Sequence, residues 1–276
     1  MKLGVLVLLS QRNMEEKIAK VREMGFDSCQ LCGWQHEFFT DEVAVNVKKA
    51  CDKYNVSIST FWCGWSGPAV WNFYEGPLTL GLIPEEYRFA RMKELMHGSD
   101  FAKKLGVKNV ATHVGFLPEN PSTKEYGSIV SALRHVVEYC KNNDQYFLFE
   151  TGQETPVTLR RTIEDIGLDN IGINLDTANL ILYGKAHPID ALNIIGKYVR
   201  DIHAKDGCYP TDGKNLGEEK ALGEGIVNFP ALISKLKQIG YNGTITIERE
   251  IEGDEQTRDI LKAKELLEGL IEQNGD

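Results

Sequence analysis

Eight short apolar runs, rich in β-branched residues, alternate with amphipathic segments along the whole chain, and this alternation constrains the fold more than any other feature. The runs read LGVLVLL, DSCQLCG, SISTFWCGW, NVATHVGF, QYFLFETG, IGINLDTAN, VRDIHAKD and GTITIERE. Between them the apolar positions take helical spacing, as in the stripe Val43, Val47, Ala50 and Tyr54. Asn13 is placed to cap the first helix, which stops at Gly25, and Gly106 is placed to end the long helix that begins near Glu85. Strands apolar on both faces belong in a parallel sheet covered by helices. Eight repeats point to a closed (β/α)8 barrel rather than an open doubly wound sheet. The first strand–helix turn also lacks the GxGxxG phosphate fingerprint. The expected architecture is α/β, a single (β/α)8 barrel domain spanning residues 1–276.

The remaining bulk properties narrow the function classes. A 276-residue chain with 42% hydrophobic content can fill one large barrel core, and no Pro/Ser-rich linker interrupts it. The net charge of −9 argues against a nucleic-acid surface, which needs clustered Lys and Arg. No stretch reaches the roughly 18 apolar residues that span a bilayer. The N-terminal run MKLGVLVLLSQRN is short, lacks a small-residue cleavage pattern and flows into a helix, so it reads as a buried strand rather than a leader. A cytoplasmic protein with no nucleic-acid or membrane partner is expected, with room for a homo-oligomer. Six cysteines are scattered through strands and helices as small hydrophobes. Cys29 and Cys32 form a CxxC, but residues three apart in a strand face opposite sides, which opposes joint ligation.

Four polar residues close four successive runs: Glu150, Asp176, His203 and Glu248. One carboxylate at a strand end says little, and four could form a salt-bridge network at the rim. Four metal-compatible residues at matched places in consecutive strand–helix units instead suggest a converging ligand set. Three carboxylates and one imidazole, without a thiolate, suit one divalent ion. Mn2+ comes first, and Mg2+, Co2+ or Zn2+ are also compatible. In such a barrel the C-terminal ends of the strands carry the active site.

Other residues gather at the same rim. His113 follows the fourth strand, Glu154 follows Glu150, Asn179 lies three residues after Asp176, and Lys205 follows His203. Each could contact substrate; Lys205 could equally pair with Asp206, and Glu154 could cap the next helix. The long loop after the third strand carries Trp62, Trp65, Trp71, Phe73 and Tyr74, and aromatic faces at a rim stack on sugar C–H surfaces. A second long loop, 207–228, is Gly-rich and could act as a lid.

The segments THVGF, FETGQE, NLDTANLILYGKAHPI, IHAKD, LGEGIVNF and ITIE carry a resemblance along nearly the whole chain. The sequence resembles the xylose isomerase-like TIM barrel superfamily, of the sugar phosphate isomerase/epimerase type. That resemblance implies a metal held by Glu150, Asp176, His203 and Glu248. It also implies that Glu150 and Glu248 act as acid and base through a metal-stabilised enediolate, on a small-molecule sugar or sugar phosphate. The ketose 3-epimerases of this superfamily carry a His three residues after the metal Asp and an Arg after the metal His. Asn179 stands at the first place, and AKDGCYP follows His203 without an Arg. A lyase is therefore the alternative, a dehydratase of a keto-sugar or keto-cyclitol such as an inosose. An endonuclease IV-type repair enzyme ranks below both, because its metal cluster needs further histidines. A non-catalytic sugar-binding barrel ranks lower still, because the ligand set is intact.

Overall fold

The alternation closes into a barrel in the computed structural model, which describes residues 1–273. Its strands are β1 Lys2–Leu8, β2 Ser28–Gly33, β3 Ser57–Cys63, β4 Asn109–Thr112, β5 Tyr146–Glu150, β6 Ile171–Asp176, β7 Val199–Ala204 and β8 Thr244–Ile247. All pair in parallel, in sequence order, and β8 closes on β1 through the register Lys2↔Thr244 to Val5↔Ile247. The outer ring comprises α1 Met14–Glu23, α2 Asp41–Tyr54, α3 Glu85–Leu105, α4 Lys124–Asn142, α5 Pro156–Ile166, α6 Pro188–Ile195, α7 Phe229–Gln238 and α8 Asp254–Gln273. Among the described residues no helix is long and apolar enough to cross a membrane.

Local chemistry explains most boundaries. Thr40, Thr123, Thr155 and Asn228 each accept a backbone N–H at the start of their helix, while Gly106 and Gly167 end theirs at φ 77° and 70°. Asn13 occupies the cap position of α1, but its side chain makes no capping hydrogen bond. The main core lies between barrel and helices, where Cys29 is fully buried. Cys32 points the other way, into a small interior cluster with Trp62, Ala111 and Leu148.

Buried charges organise the rim loops, and two of them gather four backbone groups each. Arg91 of α3 is fully buried and donates to the carbonyls of Ser66, Pro68, Thr79 and Gly81, at 2.7–3.0 Å. Gly81 (φ 64°) makes that path passable, because a Cβ there would sit 2.1 Å from the Val114 carbonyl carbon. Asp206 is the counterpart for the second loop. Its carboxylate accepts from the backbone N–H of Gly207, Gly223, Gly225 and Val227, at 2.8–3.0 Å. It does not pair with Lys205, because its oxygens are taken by these amides. A Cβ on Gly225 would fall 2.2 Å from the Asp206 oxygen, which accounts for the glycine in the LGEGIVNF segment. With a two-residue antiparallel pairing between Asp206–Gly207 and Glu219–Lys220 added, this loop is a pinned wall rather than a free lid.

Candidate metal centre

The stagger of the barrel brings the four strand-end residues to one place. In the ladders Glu150 pairs with Asn174, Asp176 with His203, and His203 with Thr246. The set therefore advances by two residues from β5 to β6 and again from β7 to β8. Strands tilted against a barrel axis require such an advance if side chains are to meet at one height. One donor atom from each of Glu150, Asp176, His203 and Glu248 lies within 4.8 Å of all the others.

Each member is oriented by its own neighbours. Asp176 Oδ1 accepts from the backbone N–H of Ala178 (2.9 Å) and Asn179 (2.8 Å), which turns Oδ2 toward the cluster. Glu150 Oε2 accepts the indole N–H of Trp62, and its Oε1 lies 3.1 Å from His203 Nδ1 and 3.5 Å from His113 Nε2. His203 Nδ1 also faces Glu248 Oε2 at 3.0 Å and Asp176 Oδ2 at 3.7 Å. Its far nitrogen, Nε2, lies 2.5 Å from Gln30 Oε1.

The donor set fits a divalent cation. Asp176 Oδ2, His203 Nδ1 and Glu248 Oε2 are buried without a hydrogen-bond partner, although buried polar atoms are almost always satisfied. Three carboxylates crowd together, and Lys205 supplies one positive charge, at 3.6 Å from Glu248, 3.8 Å from Asp176 and 2.9 Å from Glu250. Burial, countered by Lys205, pushes the Asp176 carboxyl up to about 7. Burial also raises Glu248, but the Lys205 and His203 charges outweigh it and hold that carboxyl well below its usual range. These four residues could hold a metal ion, and all four are oxygen or imidazole donors.

A cavity of about 540 Å3 opens above them. Glu150, His203, Glu248, His113, Asn179 and Trp62 line it, so most of the expected site residues meet there. Lys205 sits at the edge of the cluster, with its ammonium 3.5 Å from Asn179 Oδ1. Trp65 and Glu154 do not reach the cavity wall. The Trp65 indole donates to the His113 carbonyl (3.3 Å), and its ring takes the Arg91 guanidinium at 4.2 Å, so it braces the loop from behind. Glu154 is buried with both carboxylate oxygens unpartnered, and burial pushes it up to about 8. Trp34 and Trp71 line the cavity where Trp65 was expected. Gln30, Trp34, Tyr183 and Glu250 were not singled out from the sequence. Only the place of Gln30 in the interior row of β2, two residues before Cys32, could have flagged it.

With this geometry in place, comparison with known proteins decides the family. Residues 18–270 match the family described as Xylose isomerase-like TIM barrel. The chain belongs to that family. A solved xylose isomerase domain protein from Planctomyces limnophilus is 34% identical, covers 99% of this chain and 98% of its own, and superposes with a TM-score of 0.93. A D-tagatose 3-epimerase-like protein covers 100% of this chain and 98% of its own, with a TM-score of 0.77. Its identity is 24%, so that likeness is one of fold. An uncharacterised protein of Methanocaldococcus jannaschii is 26% identical over 99% of this chain and 90% of its own length.

Proposed function

We propose that the protein is a divalent-metal-dependent isomerase or epimerase of a sugar or sugar derivative. The observation that carries this reading is the buried Glu150–Asp176–His203–Glu248 cluster, with three unpartnered donor atoms beneath a cavity of small-ligand size. Family membership and an epimerase-like neighbour of the same fold support it. An ion held by these four residues would supply Lewis acidity toward the carbonyl and adjacent hydroxyl of a bound ketose.

The chain's own groups account for the proton movements. Within the cluster, Glu150 and Glu248 line the cavity whereas Asp176 is fully buried, so the two glutamates are the cluster carboxylates that can reach a substrate carbon. One takes the proton α to the carbonyl, and the other returns a proton. Return to the opposite face of the same carbon gives an epimer; return to the neighbouring carbon gives an aldose–ketose isomer. Trp62 fixes Glu150 through its indole N–H. His113 and Asn179 offer hydrogen bonds to substrate hydroxyls from the cavity wall, and Lys205 steadies Asn179 and Glu248. The lyase alternative draws on Asn179 and Lys205. Asn179 puts an amide where the ketose 3-epimerases carry a His, no Arg follows His203, Lys205 adds an ammonium beside the cluster, and loss of a β-hydroxyl would follow the same deprotonation.

Incubation of the Mn2+-loaded protein in D2O with D-fructose, D-tagatose and L-ribulose tests the reading. Solvent deuterium enters the sugar, and entry stops with EDTA and falls at least roughly 100-fold in Glu150→Gln. Undiminished exchange in the metal-stripped protein contradicts it. A product lighter by one water moves the assignment to the lyase.

A further inference from the structure

Below the metal cluster lies a second interior layer that is polar where a barrel core is usually aliphatic. Gln30, Thr60, Asn174, Asp201 and Thr246 are each fully buried. Two of them, Asn174 and Asp201, stand two residues before Asp176 and His203 on the same strands, so they share the inward face one step lower. Burying this many polar groups is costly unless they satisfy one another.

We infer that Gln30 and Asp201 form a relay that positions His203 for metal binding by fixing which of its ring nitrogens carries the proton; the inference rests on the metal reading proposed above. The hydrogen bonds give the relay a direction. Asp201 Oδ1 accepts the backbone N–H of Ile202 (2.9 Å), and its Oδ2 accepts the Thr60 hydroxyl (2.6 Å). Asp201 is thereby an acceptor for the Gln30 amide nitrogen, which also reaches Asn174 Oδ1; the distances are 3.4 and 3.3 Å. The amide nitrogen of Gln30 being committed to that side, its oxygen faces His203 Nε2 at 2.5 Å. An oxygen there accepts, so Nε2 holds the hydrogen. In the neutral ring that a metal would take, the lone pair is left on Nδ1, the atom that faces Glu150, Asp176 and Glu248 without a hydrogen-bond partner.

The arrangement accounts for a polar pair in the barrel interior that the proton transfers do not use. Partners behind a metal-binding histidine fix its tautomer and ring orientation, and their loss typically weakens binding by about 10–100-fold. Gln30 and Asp201 are positioning residues: neither lines the cavity.

The test compares Mn2+ affinity by isothermal titration in the metal-stripped wild-type chain and its variants, with the melting temperature of each metal-free protein as the folding control. Gln30→Leu weakens Mn2+ binding about 10–100-fold while the metal-free protein still melts cooperatively. Gln30→Glu places a carboxylate against Asp201 and also weakens binding. The double change Gln30→Glu with Asp201→Asn keeps an acceptor at His203 and restores a donor behind it, so affinity returns to within a few-fold of wild type. A purely space-filling role would not produce that rescue. In [15N]histidine NMR of the Zn2+-loaded wild type, the His203 proton sits on Nε2. Wild-type binding with unchanged affinity in Gln30→Leu, or no rescue in the double variant, overturns the relay and leaves the metal reading intact. No Mn2+ binding by the wild type overturns both.

Discussion

Glu154 shows how far a residue's environment departs from what its place in a motif suggests. In the segment FETGQE it stands four residues after Glu150 and reads as a substrate contact or a cap, yet it lies buried behind the cavity wall with neither oxygen partnered. Burial moves its pKa from 4.5 to about 8, so between those values the folded protein holds a proton that the unfolded chain has released. The sign follows: the contribution of Glu154 to stability is fullest below pH 4.5 and falls as pH rises toward 8. Glu154→Gln removes that dependence. Urea denaturation at pH 5 and pH 8 is expected to show the variant gaining a few kcal/mol over wild type at pH 8 and little at pH 5. An equal difference at both values contradicts the assignment. The strand-end residues Glu150, Asp176, His203 and Glu248 were legible in the sequence because each closes an apolar run. Gln30 was not, because its role depends on a contact with His203 across the barrel, 173 positions away.

At the scale of elements, alternation and capping residues made the strands and helices readable, and the eightfold count made closure readable. The rim loops were not readable in the same way. Each is held by buried charge whose partners are backbone groups, with Arg88 adding bonds to the Leu82 and Ile83 carbonyls of the first loop, and backbone groups leave no mark in a sequence. Arg91 looks like an ordinary helical arginine, and Asp206 looks like the partner of Lys205. In the fold, Arg91 gathers four carbonyls and Asp206 gathers four amides. Arg91→Met and Asp206→Ala leave those groups unpaired, some of them buried, and each is expected to cost about 2–5 kcal/mol. Limited proteolysis checks the location of the damage: new cuts fall within residues 66–84 for the first and 207–228 for the second. Cleavage spread over the whole chain would instead mean that neither charge acts locally.

At the scale of the whole molecule, the proposed metal centre would tie stability to chemistry. An ion that binds the folded chain and not the unfolded one adds about 2.7 kcal/mol at a free concentration of 100 Kd. Mn2+ is expected to raise the melting temperature in a concentration-dependent way, EDTA to reverse the rise, and Asp176→Asn to lose most of it. The family resemblance carried by the strand-end motifs agreed with the fold, while the substrate-facing contacts depend on loop packing that the motifs do not encode. The most direct measurement of the central claim is anomalous diffraction at the manganese edge from crystals soaked in Mn2+. The account predicts a single peak per chain bounded by Glu150, Asp176, His203 and Glu248. No peak there at saturating Mn2+, with the Lys205 ammonium occupying the space between the carboxylates, would contradict it.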